Sequence, residues 1–347
     1  MLTLLYFILI LGVIVLVHEF GHFLFAKIFG IYVYEFSIGM GPRLWHHKKK
    51  GGETDYSIRL LPIGGYCALA GEDPTEESDV PKDRMLNHKP VWQRFIVMVA
   101  GATFNFLLAL VILFAIAIFW GAPTTAPVLT GVEDGMPAQV AGLEAGDYIQ
   151  KVNGKKTSTI DDVSVYIQLA DKSKPVEFQV KKQNGEIKTI SVTALKEEID
   201  GVTTYRLGVA FESQIRHSVG AVFEYTFVKM GSLFKQMFIT VEGLFTGDIG
   251  LNQLSGPVGI YSIVGEQAKS GFENILYLIA LLCVNVGFIN LLPFPAFDGG
   301  RVLFLIIEKI KGSPVNPKTE ILVNNIGFFL LIALMIYITF QDVFRLI

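Results

Sequence analysis

The chain has 347 residues, 51% hydrophobic and 18% charged, with a formal net charge of −3 and a mean hydropathy of +0.48. Soluble domains average about 25% charged residues, so charge is scarce here. The totals exclude a disordered chain, a basic nucleic-acid binder and, with two cysteines, a disulfide scaffold.

Residues 1–17 carry no charge, and the apolar character resumes after His18 and Glu19 as far as Phe25. Residues 95–120, 274–297 and 321–340 are also uncharged. About 20 mostly apolar residues cross a hydrocarbon core, so four spans are predicted, near 2–26, 95–120, 274–297 and 321–342. The first is read as a span and not a cleaved signal, because it lacks a basic start and a small-residue cleavage site.

Inside the first span stands His18-Glu19-Phe20-Gly21-His22. Helical residues four apart share a face, so His18 and His22 can grip one metal ion. Glu19 beside them suits a general base acting on a water at that metal. Two histidines and a glutamate are expensive inside a membrane and are functional by default. Next, residues 32–41 and 56–66 flank the turn Lys48-Lys49-Lys50-Gly51-Gly52 and read as β-strands of a hairpin region over 32–72. Gly64 and Gly65 there permit close backbone approach. The second span holds Gly101 and Asn105, and an asparagine buried in a span needs a polar partner.

Residues 123–213 change character. Strands are expected at 125–132, 148–152, 176–180 and 187–192, with Asn153-Gly154 and Asn184-Gly185 as turns. Short helices are expected at 137–143 and 160–169, the latter with Asp161 and Asp162 at its dipole-favoured start. Val219, Val222, Phe223, Phe227, Met230, Phe234 and Phe238 then recur every three to four residues, an amphipathic helix over about 218–246. It would lie on the membrane surface or join this domain to the segment at 254–260.

The third span ends Asn290-Leu291-Leu292-Pro293-Phe294-Pro295-Ala296-Phe297-Asp298-Gly299-Gly300. Its prolines and glycines break the helix and let backbone present a carboxylate. Two histidines leave a tetrahedral ion underfilled. Glu35, His46 and His47 read as solvated, which leaves Asp298 as the better third ligand. Lysines and arginines crowd 27–94 and 301–318, while residues 1–17 carry none. The positive-inside rule therefore puts both basic segments in the cytoplasm and both termini outside. His18 then lies about 25 Å down the first helix, level with Asp298 near the cytoplasmic face. Cys67 and Cys283 read as unpaired packing residues.

The order of these strands and helices in 123–213, together with the run at 137–149 and then Val152-Asn153-Gly154, resembles a bacterial PDZ domain, a module that binds extended peptide by strand addition. The His-Glu-x-x-His motif, this insert and the Asn-x-x-Pro-x-Pro-x-x-Asp-Gly segment together resemble the site-two protease family of intramembrane zinc metalloproteases. The branch resembled is that of bacterial sigma-factor-regulating proteases with a single PDZ domain. The resemblance implies zinc on His18, His22 and Asp298, catalysis by Glu19, and substrate contacts from Asn290, Asn105, Gly64 and Gly65. It implies a polytopic α-helical protein of the bacterial cell membrane, with four transmembrane helices, a membrane-associated β-hairpin and an inserted extracytoplasmic PDZ domain of mixed α/β type. The halves of the membrane domain would be 1–122 and 214–347, around a PDZ domain at 123–213. Expected partners are the lipid bilayer, single-span substrates such as anti-sigma factors or remnant signal peptides, and peptide or a bulky ectodomain at the PDZ domain. No nucleic-acid partner is expected. The competing readings are a non-catalytic PDZ scaffold with a structural metal, which would not need Glu19, and a transporter, which would show repeats among its spans.

Overall fold

The computed structural model describes residues 2–72, 79–199 and 202–346. In chain order it runs α1 (Leu2–Ile28), β1 (Val33–Lys48), β2 (Asp55–Leu69), α2 (Val91–Phe119), β3 (Ala122–Pro123), β4 (Gly131–Val132), α3 (Pro137–Val140), β5 (Tyr148–Val152), β6 (Lys155–Lys156) and α4 (Ile160–Leu169). There follow β7 (Val176–Lys181), β8 (Ile187–Val192), β9 (Leu195–Ile199), β10 (Val202–Arg206), β11 (Val209–Ala210), β12 (Ile215–Arg216) and α5 (Val219–Thr246). The chain closes with α6 (Pro257–Ser270), α7 (Phe272–Leu291), α8 (Asp298–Lys311) and α9 (Pro317–Leu346). Two compact units result: Met1–Ile112 with Leu251–Ile347, and Leu113–Gly250.

Among the described residues, α1, α2, α7 and α9 are long and apolar enough to cross a membrane. The shortest, α7, has 20 residues, about 30 Å at 1.5 Å per residue. Their apolar side chains are not spent on a protein core. Only 22% of the most apolar window of α1 and 11% of that of α9 is buried. Leu4, Leu5, Leu9 and Val13 on α1 and Phe328, Phe329, Ile336 and Phe340 on α9 face outward. Such a surface is stable against lipid and not against water.

The third span is shorter than its hydropathy suggests. It stops at Leu291 and not at Phe297, because Pro293 and Pro295 lack the amide hydrogens a helix needs. The chain turns through Ala296, at φ +76°, and a new helix, α8, starts at Asp298. The fourth span runs longer than expected, since α9 covers Pro317–Leu346.

The expected hairpin is doubled. Residues 33–38 of β1 pair with 65–69 on one side and with 55–58 on the other, while 43–48 pair with 55–59. Two long strands thus make four segments in the order 65–69, 33–38, 55–58 and 43–48. Both strands bend at glycines in the left-handed region, Gly39 at φ +87° and Gly64 at φ +88°, a conformation that costs other residues strain. A Cβ on Gly39 would also lie 2.6 Å from the Leu61 carbonyl oxygen.

The second unit contains the four-stranded sheet β6-β5-β7-β8. Leu129, Leu143, Ile149, Val152, Val163, Phe178 and Val180 form its core. Helix α4 occupies 160–169 as its acidic start suggested, with Thr159 and Asp162 closing a capping box. The strand expected at 125–132 shrinks to Gly131–Val132 and a bridge from Val128 to Tyr148. The helix expected at 137–143 stops at Val140. Helix α5 packs beside α4: Lys229 Nζ reaches both Asp161 oxygens at 2.9 and 2.7 Å, and Lys235 pairs with Asp162 at 2.9 Å.

Candidate metal centre

Helix α1 presents His18 and His22 one turn apart, both buried. The first unit brings α2 unusually close to them. A Cβ on Gly21 would sit 2.5 Å from the Ala100 carbonyl oxygen, and one on Gly101 would sit 2.4 Å from His22 Nε2 and 2.7 Å from His18 Nε2. Only glycine at both positions allows this approach. The closeness puts the Val97 carbonyl 2.8 Å from His22 Nδ1. A carbonyl can only accept, so Nδ1 carries the proton and Nε2 keeps its lone pair.

The loop after α7 supplies the third group. Gly299 and Gly300 allow the first turn of α8 to fold tightly onto that loop, since a Cβ on either would meet the Leu292 or Phe294 carbonyl oxygen within 2.5 Å. Asp298 Oδ2 then lies 3.1 Å from His18 Nε2 and 3.3 Å from His22 Nε2. The two Nε2 atoms are 3.2 Å apart. These three donor atoms are the metal-competent group found among the described residues.

The triangle fits zinc. Bonds of about 2.0–2.1 Å in a tetrahedron place ligand atoms about 3.3 Å from one another. Asp298 Oδ2 is buried without a hydrogen bond, as a carboxylate oxygen kept for a cation would be. Two histidines and one carboxylate also leave a fourth position open, the donor count of a catalytic site and not of a closed structural one.

Glu19 stands next to His18 on α1, half-buried. Gly65, on the edge segment 65–69, lies beside it: a Cβ there would be 3.6 Å from Glu19 Cγ, ordinary van der Waals contact. Gly64 is the bend residue beside it, against Met40. Asn290, the penultimate residue of α7, is half-buried, and its side chain makes no hydrogen bond to a described residue. Asn105 is fully buried on α2, with Nδ2 3.4 Å from His18 Nδ1.

The other candidates for the third ligand are engaged elsewhere. Glu35 accepts hydrogen bonds from Arg43, Ser57, Arg59 and Tyr66. Burial pushes its carboxyl up, but the bonds from Ser57, Tyr66 and Arg59 win and bring it down to about 2. His46 Nδ1 lies 3.3 Å from Asp55, and His47 stacks on Trp45. Cys67 and Cys283 are buried and free.

Sequence reasoning gave no role to Gly101 or to the ion pairs that fasten α8. Arg301, one turn after Asp298, pairs with Glu72, and Arg94 forks onto both oxygens of Glu308 at 2.9 Å. The available signal for Gly101 was its spacing: Val97, Gly101 and Asn105 recur every four residues and share one face of α2.

A profile of peptidase family M50 matches residues 6–334. A Clostridium perfringens protein whose name includes the words zinc metalloprotease is 38% identical over 337 residues, covering 97% of this chain and 97% of its own. The regulator of sigma-W protease RasP of Bacillus subtilis is 32% identical over 422 aligned residues, and covers 99% of each chain. The zinc metalloprotease RasP of Bacillus licheniformis is 32% identical over 421, also covering 99% of each. Among solved structures, the PDZ domain of an SdrC-like protein from Listeria innocua covers 26% of this chain and 97% of its own. Its identity is 20% and its TM-score 0.21, too low to carry an argument.

Proposed function

The chain belongs to peptidase family M50 and is a zinc metalloprotease, and from that premise we propose that it hydrolyses a peptide bond in or beside the transmembrane segment of single-span membrane proteins. The observation that carries this reading is the triangle of His18 Nε2, His22 Nε2 and Asp298 Oδ2, with edges of 3.1–3.3 Å, on helices apolar enough to lie in a bilayer. His18, His22 and Asp298 hold the ion. Zinc, when bound, supplies Lewis acidity that activates a water and polarises the scissile carbonyl. Glu19 takes the proton of the attacking water and hands it to the leaving amine.

A transmembrane helix hides its peptide bonds in its own hydrogen bonds, so substrate must unwind before it can be cut. The edge segment 65–69, beside Glu19 at Gly65, suits pairing with an extended substrate. Asn290, half-buried and with no side-chain hydrogen bond among the described residues, suits holding substrate backbone. Residues 123–213 act as a PDZ domain outside the membrane and screen substrates already trimmed there. The termini lie on that same side, and the metal lies near the cytoplasmic face, as the distribution of lysine and arginine supports. The substrate class is anti-sigma factors or remnant signal peptides, in keeping with the name of the Bacillus subtilis relative.

Glu19→Gln tests the mechanism. It is expected to keep zinc by elemental analysis yet to lose cleavage of a reconstituted single-span substrate by about 10²–10⁴-fold. Full activity in this variant would sink the assignment.

A further inference from the structure

Each metal-site histidine has a second nitrogen, and α2 reaches both. Val97 and Asn105 lie eight residues apart on one face of that helix, with Gly101 midway. The Val97 carbonyl takes the Nδ1–H of His22 at 2.8 Å. Asn105 sits over the Nδ1 of His18, with its side-chain nitrogen at 3.4 Å, and is fully buried. Its Oδ1 is buried without a partner.

The two ends of an asparagine amide have nearly the same shape but opposite hydrogen-bonding character. With the nitrogen toward His18, Asn105 would donate to Nδ1, and a neutral His18 would carry its proton on Nε2. That is the atom 3.1 Å from Asp298 Oδ2 and 3.2 Å from His22 Nε2, so the proton would occupy the place of the metal. Either orientation leaves one end of the amide without a partner among the described residues, so the choice rests on the tautomer of His18. With the amide turned over, Oδ1 accepts from Nδ1–H and frees the Nε2 lone pair. Both histidines are then held in the same tautomer by the same face of α2.

We propose that Asn105 is a positioning residue for the metal site, its Oδ1 accepting the Nδ1–H of His18 so that Nε2 is kept deprotonated for zinc. The proposal rests on the reading of His18, His22 and Asp298 as ligands. Asn105 has no exposed surface through which to meet substrate; it acts through His18. Outer partners of this kind tune metal affinity by about 10–100-fold.

The test is made on the full-length protein in detergent micelles. Zinc affinity is measured by competition with a chromophoric chelator, and cobalt-loaded protein is followed by its visible absorption. Asn105→Leu, similar in size but with no acceptor, is expected to weaken zinc by about 10–100-fold and to shift the cobalt bands. Asn105→Asp, which can only accept, is expected to hold zinc within a few-fold of the wild type. Wild-type zinc affinity in Asn105→Leu, or equal weakness in Asn105→Asp, overturns the proposal. A measurement on unmutated protein stands even if a variant fails to fold: nitrogen NMR of the zinc-loaded wild type should find the His18 Nδ1–H hydrogen-bonded and slow to exchange, and a rapidly exchanging Nδ1–H overturns the proposal. Asp298→Ala separates the two readings: zinc retained there refutes the ligand set on which the proposal rests, whereas zinc lost there but unchanged in Asn105→Leu overturns the proposal alone.

Discussion

Two clusters of titratable side chains in the first unit are built on opposite plans. Around Glu35, both carboxylate oxygens are taken by Arg43, Ser57, Arg59 and Tyr66, and the pairs close on themselves within the sheet. Around His18, His22 and Asp298, three acceptor atoms point at one another across 3.1–3.3 Å, and Oδ2 finds no donor. A saturated cluster serves the fold. A cluster of converging lone pairs is unfavourable unless a cation joins it, so its persistence marks a binding site.

The sharpest way to break this contrast is to remove one member of each cluster and read zinc and stability together. Asp298→Ala should lose zinc, by elemental analysis of purified protein, and with it at least 10²-fold of cleavage. Its metal-free form should melt close to metal-free wild type, because the lost carboxylate held no structural hydrogen bond through Oδ2. Zinc retained at full stoichiometry would remove Asp298 as a ligand.

How much of this contrast was legible in the sequence follows from how local each cause is. The four-residue spacing of His18 and His22 is a property of one helix, and comparing depth along two spans pairs them with Asp298, so the meeting of these three side chains could be read before any coordinates. The role of Gly101 depends on which face of α2 meets α1, which spacing within α2 alone does not say. The doubling of β1 and β2 was hidden for a similar reason. Glycines and prolines interrupt the alternation in 33–48 and 55–69, but the pattern does not say that left-handed backbone at Gly39 and Gly64 folds each strand into two segments. The third span was overrun because Leu292–Phe297 is apolar: hydropathy counts Pro293 and Pro295 as span, while hydrogen bonding ends the helix before them. Helix α8 was missed because residues 301–318 were weighed only for their positive charge; within it Arg301 and Glu308 pair with Glu72 and Arg94, while Lys309 and Lys311 are exposed.

On the other side of the comparison, Glu35→Gln should destabilise the fold and spare the metal. Arg59 loses its counter-charge and Arg43 keeps only Asp55, at a cost of about 2–3 kcal/mol, while zinc stoichiometry stays at the wild-type value. The pH dependence gives a second signature. The carboxyl ordinarily titrates at 4.5 and is held down to about 2 in the folded protein. A lowered folded value means that its stabilisation is complete above pH 4.5 and is lost as the pH falls toward 2. The gap in melting temperature between wild type and Glu35→Gln, measured on metal-free protein so that zinc release plays no part, should therefore be widest near neutral pH and should close below 4.5. A gap of constant width from pH 6 to 3 would show that the network contributes by packing and not by charge.

The smallest effect is expected at Cys67, which lies between the two clusters on segment 65–69. A thiolate is a strong zinc ligand, so a cysteine this near Glu19 could compete for the ion. Burial first, and then the negative charges of Glu19 and Glu72, push its thiol far above the usual range, which keeps it a small apolar side chain. Cys67→Ala should then leave zinc content unchanged and lower stability by only about 1 kcal/mol. In a Cys283→Ala background, maleimide should label Cys67 slowly at pH 8 until the protein is unfolded. Rapid labelling of folded protein, or zinc lost with the thiol, would mean that the sheet edge takes part in holding the metal, and that the two clusters are less separate than their hydrogen bonding makes them.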